Sequence, residues 1–169
     1  MKKIISFLLV IVFCISLNGC AFLSVLRSET PNSTEQYAST FYNKVSESKI
    51  LLDRVATDVC AAWRDAASDY TLSTKDVNDA IEEAKQEHSE SIAKINSLDT
   101  EIRELFTEAK EEAKNFIQEE ALKRVMTSYS EYKDSILGAN EALDPGGYMS
   151  VSFSKGSLDS ALQNLFTEL

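Results

Sequence analysis

From Tyr37 onward the apolar and small residues fall on a helical repeat. Tyr37, Phe41, Val45, Ser48, Leu52, Val55, Val59, Ala62, Ala66 and Tyr70 are spaced first by fours, then by alternating threes and fours. That spacing keeps them on one face of a helix. Ser33 or Thr34 is placed to cap its start. The stretch "DYTLSTKDV" reads as a turn, in which Ser73-Thr74-Lys75-Asp76 has the S-x-x-D form of a helix start. A second stripe then runs Val77, Ile81, Ala84, His88, Ile92, Ile95, Leu98, Ile102, Leu105, Ala109, Ala113 and Phe116. It continues more loosely through Ala121, Val125, Tyr129, Tyr132 and Ile136. Between Pro31 and Gly138 there is neither glycine nor proline, the strongest punctuators of local structure, so long helices are favoured.

A single helix from Thr74 to Leu143 would be about 105 Å long. The first helix would cover only half of its apolar stripe, so the rest needs a fold-back or a second molecule. "NSLDTEI" offers a turn, because Ser97, Asp99 and Thr100 are all potential caps. The expected fold is all-α: an elongated antiparallel three-helix bundle with helices at 33–70, 74–96 and 99–143. A long helical hairpin that dimerises is the alternative, which leaves self-association open. The pairs Glu90–Lys94, Asp99–Arg103, Glu119–Lys123 and Glu120–Arg124 place the acid four residues before the base, as solvated helix faces do.

The tail changes character. Asp144-Pro145-Gly146-Gly147 reads as a helix stop and turn. Tyr148, Ser150, Ser152 and Ser154 alternate with Met149, Val151 and Phe153, a period of two that predicts a short irregular, extended arm. Ser157 then caps a small C-terminal helix through Leu158, Ala161, Leu162, Leu165, Phe166 and Leu169. The expected organisation is thus 33–143 helical bundle and 144–169 turn, arm and last helix.

The first 32 residues obey a different logic. Met1-Lys2-Lys3 is basic, Ile4 to Leu17 is apolar apart from Ser6 and Ser16, and Asn18-Gly19 interrupts the run before Cys20. A basic start, a short apolar run and a small residue at the break form the pattern of a secretory signal. The run is too short to span a bilayer, which takes about 20 apolar residues. Leu17-Asn18-Gly19-Cys20 resembles the bacterial lipobox. The resemblance implies a signal peptide over 1–19, a diacylglycerol on the Cys20 thiol, and a lipid-anchored protein on the extracytoplasmic face of the cell membrane. A plain secretory signal cleaved after Gly19 is the alternative. Two or more acyl chains make such an anchor durable. Residues 20–32 are then the lipidated cysteine and a flexible tether.

Charge narrows the partners. The chain has 17 basic and 27 acidic residues. Loss of Lys2 and Lys3 with the signal leaves 15 against 27, a formal −12 for the mature chain. Nucleic acid is not an expected partner, since phosphates require a concentrated basic face. Nor should the domain lie flat on an anionic membrane.

Chemistry-bearing residues are sparse. Cys60, left alone once Cys14 and Cys20 are accounted for, reads as a small buried hydrophobe, with a reactive thiol as the minority reading. His88, the only histidine, lies on the apolar stripe, so no metal site can use two imidazoles. No phosphate-cradling glycine loop, EF-hand or nucleophile elbow occurs. No catalytic residue, cofactor or metal is expected, and the protein is read as non-enzymatic. Trp63, Tyr129, Tyr132, Tyr148 and Phe153 form the candidate binding surface where the arm meets the bundle; simple packing is the competing reading for each.

Two segments carry a further likeness. Ala62-Trp63-Arg64-Asp65-Ala66, near the end of a long first helix, and the Pro-Gly turn with an aromatic in a serine-rich arm, Pro145 to Ser154, resemble a group of uncharacterised small helical proteins of Gram-positive bacteria and their phages. The likeness implies a helical fold and says nothing of activity. The reading is a protein-interaction module at the cell envelope, with an envelope or phage protein as partner. A small-ligand carrier with a pocket between helices, or a phage-related exclusion lipoprotein, is the alternative.

Overall fold

The computed structural model describes residues 34–69, 71, 73–138 and 145–168; the side chains of residues 34, 35, 145–148 and 166 lie outside the description. The signal, Cys20, the tether, Ser33, Tyr70 and the stop at Asp144 therefore fall outside the described residues. The described chain is all-α, with five helices and no strand among the described residues: α1 (Thr34–Ser68), α2 (Thr74–Glu87), α3 (Ser89–Glu111), α4 (Phe116–Leu137) and α5 (Pro145–Glu168).

The stripe on α1 is where the fold is built. Phe41, Val45, Ser48, Leu52, Val55, Val59 and Ala66 are all buried. α2 and α3 run back along it in register: His88 meets Asp58, Lys94 meets Glu47 and Lys44 meets Glu101. Phe41 and Phe106 close this pairing near the start of α1, with ring centroids 6.0 Å apart.

α4 runs antiparallel to α3, tied by Lys133–Asp99 and Lys110–Glu119, and parallel to α1. Its contacts to α1 keep a steady offset, Ser48 to Tyr129 and Asp53 to Tyr132, that is 81 and 79 residues. α5 turns back again, with Ser135 against Ser154 and Arg124 against Glu168 on α4, and Lys49 against Asp159 on α1. Four helical rods alternate in direction, one more than the sequence predicts.

Three details of the expected fold are corrected. The turn expected at residues 97–99 is the middle of α3, because the Asp99 carboxylate binds Lys133 and Arg103 instead of capping a helix. The chain instead breaks at His88 and turns at residues 112–115, where the Asn115 side chain accepts from the Gln118 N–H (3.1 Å) and Gln118 Oε1 accepts from the Lys114 N–H (2.8 Å). That exchange is a variant of the capping box and restarts the helix. The third correction concerns the irregular arm and small last helix, which are one helix of 24 residues. Val151, Ser154, Leu158, Leu162 and Leu165 bury one helical face, and Pro145 stands at its first position, where a missing N–H costs nothing. The start at Ser73 is as expected: its side chain accepts from the Asp76 N–H, and Asp76 accepts from the Ser73 N–H at 2.7 Å.

Candidate functional site

α1, α4 and α5 converge on Asp53. Its Oδ1 accepts from the Tyr132 hydroxyl (2.7 Å) and Lys155 Nζ (3.1 Å), and its Oδ2 from Lys49 Nζ (2.9 Å). Lys49 also reaches Asp159 Oδ1 at 3.0 Å. Burial pushes the Asp53 carboxyl up, but hydrogen bonds from Lys49, Tyr132 and Lys155 outweigh it and hold it below the usual carboxylate range. Burial and the bond to Asp53 push the Tyr132 hydroxyl far above its ordinary range. The group clasps α5 onto the other two helices, and its ionised members are already paired.

A second carboxylate, Asp99, receives Lys133 Nζ and Arg103 Nε on Oδ2, each at 3.0 Å. Its Oδ1 is buried with no hydrogen-bond partner among the described residues. Burial again pushes this carboxyl up, and Lys133 and Arg103 bring it below the usual range.

These contacts divide the five aromatic candidates. Tyr129 and Tyr132 are fully buried and belong to the core, so they are removed from the binding surface. The Ser48 and Tyr129 hydroxyls share a bond of 3.0 Å, and burial pushes Tyr129 up to about 12. Both tyrosines bury large rings and satisfy their hydroxyls inside, which explains why they are inside at all. Trp63 is half-buried against the same core. The Tyr148 side chain lies outside the described residues. Phe153 is 68% exposed. The structure therefore does not bring Phe153 together with the tyrosines in one groove.

The other chemistry-bearing residues are placed as packing elements. Cys60 is buried, and burial raises its thiol against the smaller opposing effect of Arg64, which disfavours the reactive thiolate. His88 caps the break between α2 and α3 and shares a 2.7 Å hydrogen bond with Asp58. No group of three His, Cys, Asp or Glu side chains among the described residues is placed to hold a metal ion. No helix among them is long and apolar enough to cross a membrane.

Two open grooves flank α5. One of about 250 Å³ lies between α5 and α1, bounded by Thr57, Cys60, Arg64, Ser152 and Lys155. The other, of about 510 Å³, lies between α5 and α4, bounded by Arg124, Ser128, Phe153, Gly156, Ser160 and Asn164. Beside the second, Met149 (56% exposed) and Phe153 stand one helical turn apart on the outer face of α5. Met149 was missed because alternation groups it with Val151 and Phe153; on a helix Val151 turns inward and the other two turn outward. The i, i+4 spacing of Met149 and Phe153 was the available signal.

Comparison with protein-family models, with curated proteins and with solved structures found no match.

Proposed function

We propose that the chain is a lipid-anchored, extracytoplasmic helical protein that acts as a non-enzymatic interaction module at the cell envelope, held through Cys20 and docking an envelope or phage protein on the outer face of α5. The observation that carries this reading is the pair Met149 and Phe153, exposed a turn apart beside a groove whose floor and rim include Gly156 and Ser160. Large apolar side chains next to small residues suit a partner helix, which can bring its backbone close to α5 and bury both. The lipobox resemblance at Leu17-Asn18-Gly19-Cys20 supports the anchor. The carrier reading draws less support, because Tyr129 and Tyr132, which would have lined its pocket, are spent inside the core.

In-cell cross-linking of the native protein, followed by mass identification, tests the module. One dominant envelope or phage protein should be captured, and Met149→Ser with Phe153→Ser should remove it while leaving the helical content unchanged. Undiminished capture by the double variant would place the interface elsewhere. Capture of the chain by itself alone would make self-association the function of this face.

A further inference from the structure

A second apolar pair stands at the other end of the molecule. Phe116 and Ile117 open α4 and are 73% and 60% exposed, although the sequence stripe had placed Phe116 on a buried face. The residue offset that pairs Ser48 with Tyr129 and Asp53 with Tyr132 puts Phe116 and Ile117 abreast of Gln36 and Tyr37, in the first turn of α1. That is the end from which the chain leads back, over 14 residues, to Cys20.

Charge is distributed to match. The mature chain carries 15 basic against 27 acidic residues, yet residues 108–124 around the pair hold four basic against five acidic. Lys110 and Lys123 bind Glu119, Lys123 also binds Glu120, and Arg124 binds Glu168, so the carboxylates that follow the pair along α4 are bridged to bases. Lys114, two residues before Phe116, is exposed. An adjacent aromatic and aliphatic pair with a lysine at its edge is the arrangement that settles at the headgroup and acyl boundary of a bilayer.

Resting on the lipid-anchored reading above, we infer that Phe116 and Ile117 are a second membrane contact: they insert into the lipid interface at the tethered end and hold the helices upright on it. Fourteen residues span at most about 50 Å even when fully extended, so the tether keeps this tip in constant reach of the bilayer. A contact too weak to bind free protein is then sufficient, because the tether supplies the effective concentration. The far end of the helices, with the outer face of α5, is thereby kept off the lipid and open to a partner.

The test uses the full chain purified from membranes, in a Trp63→Phe background with Phe116→Trp as the only tryptophan. It is reconstituted into vesicles of phosphatidylethanolamine and phosphatidylglycerol, with or without brominated acyl chains, and acylation of Cys20 is verified by mass. Emission from position 116 should shift to the blue and be quenched by the brominated lipid. A control with Thr127→Trp in place of Phe116→Trp, at an exposed position about 16 Å further along α4, should show neither effect. An acylated protein with no quenching at 116 overturns the inference while leaving the anchor intact. A blue shift without quenching also overturns it, since protein rather than lipid then covers the tip. Should Cys20 carry no acyl group, the anchor reading fails by itself; coupling the Cys20 thiol to a maleimide lipid restores the tether, and quenching at 116 still decides the matter.

Discussion

The two halves of α1 share one helix and one apolar stripe, but they are held differently. In the first half Phe41, Val45 and Leu52 are fully buried, in one core with Ile95 and Ile102 of α3 and Leu122 and Tyr129 of α4. In the second half the stripe tapers from Val55 and Val59 to Ala62 and Ala66, and the facing residues of α2 include Ile81 and Ala84. α4 ends at Leu137, abreast of Thr57, and beyond that level the partners of α1 among the described residues include α2 and, at Cys60 and Arg64, residues 151–155 of α5. Alanine contacts let helices approach closely but remove little apolar area from water, at about 25 cal/mol per Å². A stripe therefore reports that a face is buried, while side-chain size reports how much lies on top of it.

The largest test of this contrast is a matched pair of truncations. Leu122→Ala should cost about 2–5 kcal/mol of global stability in denaturant unfolding, as a well-packed core leucine does. Ile81→Ala should act mainly on α2, whose amides should exchange through local opening well before the amides of α4. Equal protection of α2 and α4 would break the comparison.

Acid should strike the first half. Asp53 and Asp99 both have folded-state carboxyls below the usual range, so the unfolded chain binds protons more readily than the folded one. Their contribution is complete above the ordinary carboxylate range and is lost as pH falls through about 4 and below. Asp53→Asn should flatten that acid limb in a thermal melting series, and α5, which Asp53 clasps through Lys155, should loosen first. The start of α2 has its own, smaller lever. Ser73→Ala removes the side-chain half of the capping box and should cost about 0.5–2 kcal/mol, read as faster exchange in α2.

The smallest test uses one substitution at two glycines. A Cβ at Gly138 would collide with the Asp134 carbonyl oxygen, so Gly138→Ala must displace the end of α4 and destabilise. A Cβ at Gly156 would meet nothing within 4 Å, so Gly156→Ala should stabilise α5 by about 0.5–1 kcal/mol. A melting temperature that falls with Gly156→Ala would contradict the assignment of α5 as a regular helix through Gly156.

How much of this was legible depends on what each residue could be confused with. The α1 stripe and the start at Ser73 were readable, since a long 3.6-residue repeat and a reciprocal cap have few competitors. His88 hid the break after α2, because it continues the apolar spacing and its Asp58 partner is far away in sequence. The turn at 112–115 lacks glycine and proline; its only local mark is Asn115 followed three residues later by Gln118. At 148–154 a short segment satisfied a period of two as well as a helix, and only burial of Val151 and Leu158 by α4 and α1 decides between them. Of the aromatic candidates, Phe153 could be told from Tyr129 and Tyr132 only after Ser48 and Asp53 were seen to take up the two hydroxyls. Ion pairs behaved likewise: Asp99–Arg103 and Glu119–Lys123 form as spaced, while Lys94 and Arg124 bind Glu47 and Glu168 on other helices.

Anchoring is the premise on which both the exposed face of α5 and the tip at Phe116 depend. The most direct measurement is the mass of the N-terminal peptide from protein extracted from the membrane fraction of the cells that make it. A peptide that begins at Cys20 and carries a diacylglycerol on its thiol, absent from the membrane fraction of a Cys20→Ser variant, is the predicted result. A chain that begins elsewhere, or begins at Cys20 with a free thiol and is recovered in the medium, would contradict it.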